Sequence, residues 1–175
     1  MLSKRTIKTP VGKLFLTASD VALTELFFEN HRAEVDGLNA TPPPSTQSLF
    51  EANSPHTILD LAESQLNEYF SGNRQSFTIP LAPAGTDFQR DVWAELQNIP
   101  FGKTISYSEL ARCMGDEKKT RAVGLANGKN PISIMIPCHR VVGANGHLVG
   151  YGGGIKNKRW LIDFESTDQL FLINT

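Results

Sequence analysis

The first thirty residues carry the alternating or short continuous apolar runs that are typical of β-strands. Residues 13–18 and 21–28 each form such a run, and Ser19 and Asp20 between them predict a two-residue turn. An earlier strand over residues 5–8 is expected to pair with residues 13–18 through the turn that follows it. The pattern therefore predicts a small sheet of hairpin-connected strands at the start of the chain.

The next part of the chain breaks this pattern. Residues 37–55 contain four prolines and few large apolar side chains, which predicts a mobile loop. Apolar residues then recur at helical spacing over residues 58–70, and Ser71 and Gly72 follow as an end signal. A further short strand is predicted over residues 75–80. The stretch after it, rich in Pro and Ala, predicts a linker between two lobes.

Three helices are predicted after the linker. Thr86 is a good cap for a helix that runs to about residue 98. Ser106 and Glu109 match a capping box for a second, short helix through residue 114. Gly115 ends that helix, and the acidic residue after it begins a third helix through about residue 127. Two short helices joined by a tight turn with a glycine are the pattern of a helix-turn-helix.

The third helix has a face of small residues, namely Ala122, Gly124, Ala126 and Gly128. Each glycine inside a helix costs about 1 kcal/mol relative to alanine. Such a face makes sense where another surface must approach the backbone closely. Tight packing between helices is the simpler explanation of the pattern when it is taken alone.

These elements predict a mixed α/β fold of the α+β kind. A small β-rich lobe over residues 1–84 is followed by a mostly helical lobe over residues 85–175 that contains the helix-turn-helix. A chain of 175 residues has room for one ordinary domain or two small lobes. No apolar run approaches the roughly 20 residues that span a bilayer, and residues 1–10 lack the order of a secretory signal.

The strongest candidate chemistry follows the apolar residues 132–136, which predict a buried strand or extended run. Cys138 lies at the end of this run, and His139 and Arg140 are the neighbours expected to lower the pKa of its thiol. Most lone cysteines are small buried hydrophobic residues, which is how we interpret Cys113. Adjacent residues on a strand point in opposite directions. A direct contact between Cys138 and His139 therefore requires a turn or a bridging water.

Several glycines follow this segment, and three of them are consecutive, at residues 152–154. A loop of this kind can form the wall of a pocket around a flat ligand. A nucleotide phosphate loop is not expected, because no Lys-Ser or Lys-Thr pair follows the glycines. The final helix begins near Lys156 and ends at Glu165. That carboxylate either orients a histidine or is a solvated surface residue, and spacing alone leaves both readings open.

Composition and charge narrow the classes of function. Two cysteines in the chain exclude a disulfide scaffold and a zinc finger built on cysteines alone. The net charge is −1, but residues 1–84 carry 6 Lys and Arg against 9 Asp and Glu, whereas residues 85–165 carry 11 against 8. A mildly basic second half fits a surface that meets phosphate groups. Ordinary charge scatter explains so small an imbalance equally well.

Residues 137–141, Pro-Cys-His-Arg-Val, resemble the active-site signature of the O6-alkylguanine-DNA alkyltransferases, also called methylated-DNA–protein-cysteine methyltransferases. Further segments match in family order and spacing: residues 88–93, 99–102, 106–107, 121–124, 130–131 and 151–154. The resemblance covers essentially residues 85–165. The N-terminal lobe, which is ribonuclease H-like in the family, resembles it only in its β-rich layout, its length and its mobile middle.

The resemblance implies that the Cys138 thiolate takes the alkyl group from guanine O6 by in-line displacement. His139 is implied to be the base that deprotonates the thiol through a water, and Glu165 the carboxylate that orients His139. Asn130 is implied to brace the active-site turn. Tyr107 is implied to help rotate the target phosphate and to donate a proton to the leaving guanine.

The resemblance also implies the contacts with DNA and with the flipped base. Arg121 is expected to fill the space that the flipped nucleotide leaves. The other residues expected to contact DNA are Ala122, Gly124, Ala126, Tyr107 and Arg140. The residues expected to line the substrate pocket are Trp93, Pro137, Val141, Tyr151, Gly152 and Gly153. The backbone carbonyls of Cys138 and Val141 are expected to accept from the guanine amino group. Guanine O6 lies inside the duplex, so the base must be extruded, and the small-residue face then lets the helix approach the minor groove.

Three departures from the family pattern bear on function. Ser133 stands where many members have a second proline, and Gly152 stands where some have serine. Both border the expected pocket and leave its tolerance of bulky alkyl groups open. Residues 1–84 contain no cysteine, so the zinc site of some members is expected to be absent. No metal or cofactor is implied, because the damaged DNA itself is the alkyl donor.

The main hypothesis is a single-turnover DNA repair methyltransferase. We expect a monomer in the cytoplasm, associated with the nucleoid if the source is a bacterium, with no membrane partner. Its expected partner is double-stranded DNA that contains O6-alkylguanine, with O4-alkylthymine as a further candidate lesion. The alternatives are a damage sensor in which Cys138 is unreactive and a Cys-His hydrolase that needs neither DNA nor Arg121. The product formed per protein separates the three: one equivalent, none or many.

Overall fold

The computed structural model of the protein describes residues 1–31 and 55–173. Its first part is an antiparallel sheet with its strands in chain order: β1 (Ser3–Thr9), β2 (Gly12–Ala18) and β3 (Leu23–Phe28). This confirms the hairpin-connected sheet that the apolar pattern predicts. The loop predicted over residues 37–55 lies outside the described residues, except for residue 55.

One face of the sheet is apolar and packs against helix α1 (Pro55–Phe70). Antiparallel pairing sets Leu14 opposite Phe28 and Leu16 opposite Leu26. Side chains alternate along a strand, so these four buried residues share one face. The helix packs a buried stripe of residues at helical spacing against this face: Ile58, Leu59, Ala62, Leu66 and Tyr69.

The prediction of a short strand over residues 75–80 is wrong, because these residues form no strand. The backbone N–H of Thr78 donates to the side chain of Gln65 on α1 at 3.0 Å, so it is not available for a ladder. Pairing with the sheet is limited to one parallel bridge between Leu23 and Leu81. The Leu23 N–H donates to the Pro80 carbonyl at 2.9 Å and the Ala82 N–H donates to the Leu23 carbonyl at 2.8 Å, but Pro80 has no N–H with which to continue the ladder. The segment therefore touches the sheet edge without extending it.

The outer edge of β3 also receives the chain segment that leads to Cys138. The Leu26 N–H donates to the Pro131 carbonyl at 2.8 Å, and the Ser133 N–H donates to the Leu26 carbonyl at 2.9 Å. A proline at position 133 has no N–H and cannot make the second bond. The serine found there therefore lets the sheet align the approach to the active site.

The second part of the chain is mostly helical. Its helices are α2 (Asp87–Leu96), α3 (Tyr107–Cys113), α4 (Thr120–Gly128) and α5 (Ile155–Ile173). A parallel pair of two-residue strands, β4 (Ile105–Ser106) and β5 (Val141–Val142), lies among them. Complete capping boxes begin α2, from Thr86 and Gln89, and α3, from Ser106 and Glu109. No helix in the described part of the chain is long and apolar enough to cross a membrane.

Helices α3 and α4 form the predicted helix-turn-helix, with Gly115 in the turn at a φ of 90°. Glu117–Lys119 form a separate 3-10 turn before α4, so the third predicted helix begins later than expected. The final helix does not end at Glu165, as the sequence analysis expected, but continues to Ile173. Glu165 therefore lies well inside a helix, where neighbours on both sides can enclose it.

The sheet and the glycine-rich loop are in close contact. A Cβ at Gly152 would lie 2.4 Å from ring atoms of His31, and one at Gly153 would lie 2.6 Å from the Phe28 ring. Real Cβ atoms do not approach other atoms this closely. Both glycines are therefore required by packing between the N-terminal part and the loop.

We expect Gly152→Ala to destabilise the fold by about 1–3 kcal/mol, because its methyl group overlaps His31. In a double-mutant cycle, the loss that Gly152→Ala causes should be much smaller in a protein that already carries His31→Ala than in the wild type. Gly128→Ala is the matched control, because a Cβ there meets nothing within 4 Å. Denaturant unfolding of the wild type, the two single variants, the double variant and the control measures the effect. A Gly152→Ala loss that His31→Ala does not reduce would contradict the packing argument.

Candidate active site

The segment before Cys138 is not the buried strand or extended run that its apolar residues predict. It makes one bridge, between Ile132 and Leu26, and then folds into tight turns. Ile134 adopts a φ of 70°, a left-handed conformation that costs energy for a β-branched residue. Asn130 holds the turns, because its Nδ2 donates to the Ile136 carbonyl at 2.8 Å and its Oδ1 accepts from the Ile132 N–H at 2.9 Å. These contacts are those of a brace for the active-site turn.

Cys138 opens a 3-10 turn, Cys138–Arg140, and is buried. The turn removes the strand geometry that would have pointed Cys138 and His139 in opposite directions. Burial raises the pKa of the Cys138 thiol, while a hydrogen bond from Asn130 and the positive charge of Lys158 act in the opposite direction. The sequence predicts that the side chains of His139 and Arg140 favour the thiolate. The side chains that lower the pKa of Cys138 are instead those of Asn130 and Lys158.

Glu165 lies at the centre of a buried hydrogen-bond cluster. Its carboxylate accepts from His139 Nε2 at 2.8 Å, Tyr69 Oη at 2.8 Å, the Gly102 N–H at 3.3 Å, and Arg140 Nε and Nη2 at 2.9 and 3.0 Å. A carboxylate only accepts, so His139 Nε2 carries the proton and His139 Nδ1 bears the lone pair. Within the described residues, Nδ1 has no hydrogen-bond partner. The histidine is thus fixed in the tautomer that can accept a proton at Nδ1.

The pKa values of this cluster follow from its surroundings. Burial alone would raise the pKa of Glu165, but His139 and the Arg140 guanidinium hold it well below its ordinary value of 4.5. Burial lowers the pKa of His139, and the Glu165 charge opposes that shift. At neutral pH the cluster therefore holds an ionised Glu165 and a neutral His139.

Arg140 does not lie on the surface that the DNA expectation requires. It is buried, its guanidinium binds Glu165 twice, and its Nη1 donates to the Ile99 carbonyl at 2.6 Å. The expectation that Arg140 contacts DNA is corrected accordingly. A buried carboxylate that faces one neutral histidine needs a cation, and Arg140 supplies it.

Tyr107 is the first residue of α3 and lies beside the cysteine. Burial raises the pKa of its hydroxyl, and the proximity of Cys138 raises it further. The hydroxyl donates to the Val149 carbonyl at 3.4 Å. Tyr107 therefore stays protonated at neutral pH and keeps a proton to donate.

Lys158 is a site residue that the sequence analysis did not identify. It is fully buried, its Nζ donates to the Val149 carbonyl at 3.1 Å, and the Nζ lies 5.7 Å from the centre of the Tyr107 ring. Burial lowers its pKa and the nearby Cys138 raises it. The available signal was helical spacing, because Lys158, Leu161 and Glu165 lie on one buried face of α5.

The expected pocket residues fall into two groups. Tyr151 packs edge-to-face on Phe28 with ring centres 5.6 Å apart, and its hydroxyl is buried without a partner in residues 1–31 and 55–173. Gly152 and Gly153 continue this wall. Pro137 directly precedes Cys138, Val141 follows it three residues later, and both are buried. Trp93 instead lies in the core and donates to the Ala126 carbonyl at 2.8 Å. Its indole holds α2 against α4, which corrects its placement in the pocket.

Helix α4 presents a different set of residues to solvent than the small-residue pattern indicates. Arg121 and Ala122 are exposed, as a DNA-contacting surface requires, and Gly124 lies over the Tyr107 ring. Ala126 is buried and its carbonyl serves Trp93, so it does not face DNA as expected. Leu125 is 63% exposed, one helical turn from Arg121, and was not anticipated.

The described residues contain no cluster of three or more His, Cys, Asp or Glu side chains placed to hold a metal ion. Cys138 shares its 3-10 turn with a histidine whose ring is oriented by Glu165.

Comparison with family models gives two matches that cover most of the chain. A model described as the ribonuclease-like domain of 6-O-methylguanine DNA methyltransferase matches residues 2–83. A model described as the DNA-binding domain of 6-O-methylguanine DNA methyltransferase matches residues 87–167.

Individual relatives give the same result. A methylated-DNA–protein-cysteine methyltransferase of Mycobacterium tuberculosis is 44% identical over 167 residues, which is 95% of this chain and 94% of that protein. One of Methanosarcina acetivorans is 51% identical over 106 residues, 61% of this chain and 68% of that protein. The crystal structure of Mycobacterium tuberculosis OGT in complex with DNA superposes with a TM-score of 0.76 at 43% identity, covering 94% of this chain and 93% of that one. The resemblance drawn from the motifs is thus confirmed, and the chain belongs to the 6-O-methylguanine DNA methyltransferase family.

Proposed function

We propose that this protein repairs double-stranded DNA by transferring the alkyl group of O6-alkylguanine to Cys138, once per molecule and without a cofactor. The observation that carries the proposal is the buried hydrogen bond between Glu165 and His139, which leaves the Nδ1 lone pair of the histidine without a described partner, while the buried Cys138 is its neighbour in the chain. The names of the relatives, methylated-DNA–protein-cysteine methyltransferase, and the DNA-bound OGT structure support the same activity.

The Cys138 thiol needs a base, because burial raises its pKa. Neutral His139 takes the thiol proton at Nδ1 through a water, and ionised Glu165 stabilises the imidazolium that forms. The sulfur then attacks the alkyl carbon in line with the C–O6 bond. That bond breaks, its electron pair goes to O6, and the guanine takes a proton from Tyr107. The product is a thioether, which has no route back to the thiol within this site, so each molecule reacts once.

The DNA-binding surface is assigned to α4. Arg121 is the residue proposed to enter the stack when the target nucleotide is flipped, and Ala122 lets the backbone of α4 approach the minor groove. Leu125, exposed beside them, is a further apolar contact for that groove. We infer from the same activity that the protein acts in the cytoplasm, and on nucleoid DNA if the source is a bacterium. We propose that the two lobes meet between residues 84 and 85.

The first experiment mixes the protein with a duplex that contains one O6-methylguanine and measures intact mass. We expect a gain of one methyl group, mapped to the Cys138 peptide and saturating at one per protein. Cys138→Ala should bind the duplex but gain no mass, and Cys113→Ala is the matched control that should react normally. Tight binding without an adduct would favour the damage-sensor alternative, and many turnovers would favour the hydrolase.

The second experiment tests the charge cluster. Glu165→Gln leaves the Arg140 guanidinium buried without its carboxylate, so we expect a loss of about 3–5 kcal/mol in unfolding free energy. The pKa of Glu165 is lower in the folded protein, so its stabilising effect is present above about pH 4.5 and is lost as the pH falls below it. Denaturant unfolding between pH 3 and 7 measures this loss. Asp91→Asn, an exposed position on α2, is the control, and an equal loss in both variants would contradict the cluster.

The third experiment tests His139 as the base. The pKa of His139 is lowered from 6.5 and that of Cys138 is raised from 9.0. Between about pH 6.5 and 9, His139 is neutral and Cys138 is protonated, so the proton passes from the thiol to the histidine and none is exchanged with solvent. The single-turnover rate should therefore be flat over this range and should fall at lower pH, where His139 is protonated. In His139→Ala the rate should instead rise about tenfold per pH unit over that range. A wild-type rate that rises in the same way would remove His139 from this step.

A further inference from the structure

Tyr69 lies on α1, in the N-terminal part of the chain, and the mechanism above gives it no role. Its side chain is fully buried, and its hydroxyl donates to Glu165 Oε1 at 2.8 Å. His139 Nε2 is bonded to the same carboxylate oxygen, also at 2.8 Å. The helix that covers the sheet therefore places a hydroxyl group on the atom that orients His139.

The ring of Tyr69 is held by aromatic neighbours on several sides. The ring centres of Phe77 and Phe164 lie 5.5 and 5.4 Å away, and Phe101 meets the ring edge-to-face at 6.1 Å. Phe164 directly precedes Glu165 in the chain. The same packing thus fixes the hydroxyl and the carboxylate relative to each other.

Glu165 Oε1 accepts from three donors, because Arg140 Nη2 also lies 3.0 Å from it. An oxygen of a carboxylate has about two lone-pair sites, so the three donors compete for its charge. Burial and the Glu165 charge raise the pKa of Tyr69 well above its ordinary value, and a guanidinium stays protonated at all relevant pH values. Among these three donors, His139 is the one whose protonation changes when it acts as a base.

We propose that Tyr69 is a positioning residue that sets how strongly His139 binds a proton, by taking up part of the charge on Glu165 Oε1. When His139 takes the thiol proton, its ring becomes a cation and its bond to this oxygen strengthens. A donor that already occupies the oxygen limits that gain. Tyr69 thus keeps His139 neutral down to a lower pH than the carboxylate would otherwise allow. The inference rests on the proposed transfer to Cys138, in which His139 is the base.

The other ionisable groups around His139 and Cys138 do not depend on this hydroxyl. They are Glu165 and Lys158 on α5, Arg140 in the same turn, Tyr107 on α3 and Tyr151 in the glycine-rich loop. The charges of Arg140 and Lys158 oppose a proton on His139, and Glu165 favours it. Helix α2 also packs against the turn, but its buried residues are uncharged. A Tyr69 variant leaves all of these groups in place.

The test is Tyr69→Phe, which removes the hydroxyl and keeps the ring in its aromatic packing. We expect the pH at which His139 becomes half protonated to rise by about 0.5–1 unit, because Glu165 Oε1 then stabilises the imidazolium more strongly. Nuclear magnetic resonance of the DNA-free protein measures this midpoint, with the His139 signal assigned from His139→Ala. The fall of the single-turnover methyl-transfer rate at low pH should move upward by the same amount.

Gln65→Ala is the control for packing of α1. Gln65 is buried one turn before Tyr69, and its amide bonds Thr78 and not Glu165. This variant should lose stability but leave the His139 midpoint unchanged. Replacing Tyr69 by 3-fluorotyrosine is the opposite change, because fluorine makes the phenol a stronger donor, and it should move the midpoint to lower pH. This variant retains the hydroxyl and serves as the test if Tyr69→Phe does not fold.

An unchanged midpoint in Tyr69→Phe, an equal shift in Gln65→Ala, or an upward shift with 3-fluorotyrosine would overturn the inference while methyl transfer stands. A wild-type protein that gains no methyl group from an O6-methylguanine duplex would overturn the proposed function. The midpoint measured without DNA distinguishes the two failures, because it does not require transfer to occur.

Discussion

The structure depends on one buried carboxylate. Glu165 on α5 accepts hydrogen bonds from Tyr69 on α1, from the Gly102 backbone, and from His139 and Arg140 in the active-site turn. A charge in the interior is tolerated only if its partners are all in place. The contact with Tyr69 therefore ties the helix that covers the sheet to the orientation of His139. Packing between the two parts of the chain and catalysis share this single constraint.

The same constraint explains how the charges are divided around Cys138. Arg140 is used to stabilise Glu165, which leaves His139 neutral and able to accept a proton. The cation that acts on the thiol is Lys158, which comes from α5 and not from the signature itself. Since burial raises the pKa of the thiol, the protein holds Cys138 in its unreactive form until a base removes the proton. A buried, protonated cysteine is also protected from side reactions between encounters with damaged DNA.

The features that the sequence predicts well are those set by local rules. The capping boxes at Thr86 and Ser106 follow from residue types three positions apart, and the strands around Ser19 follow from alternation and turn residues. Two of the errors concern residues whose partners are distant in the chain. Trp93 finds the carbonyl of Ala126, and Arg140 finds Glu165. The apolar pattern of residues 132–136 predicts a strand, because such a pattern does not reveal that Asn130 holds these residues in turns.

Position 152 carries glycine where some family members have serine, and it lies at the contact between the N-terminal part and the glycine-rich loop. A glycine in place of a serine would ordinarily enlarge a pocket. Here the His31 ring occupies the space over Gly152, with ring atoms 2.4 Å from where a Cβ would be, and Phe28 packs on Tyr151 in the same wall. The N-terminal part thus supplies the side-chain volume that the loop lacks. The size of the side chain that position 152 can carry is therefore set by the His31 ring, and so by the N-terminal part as much as by the loop.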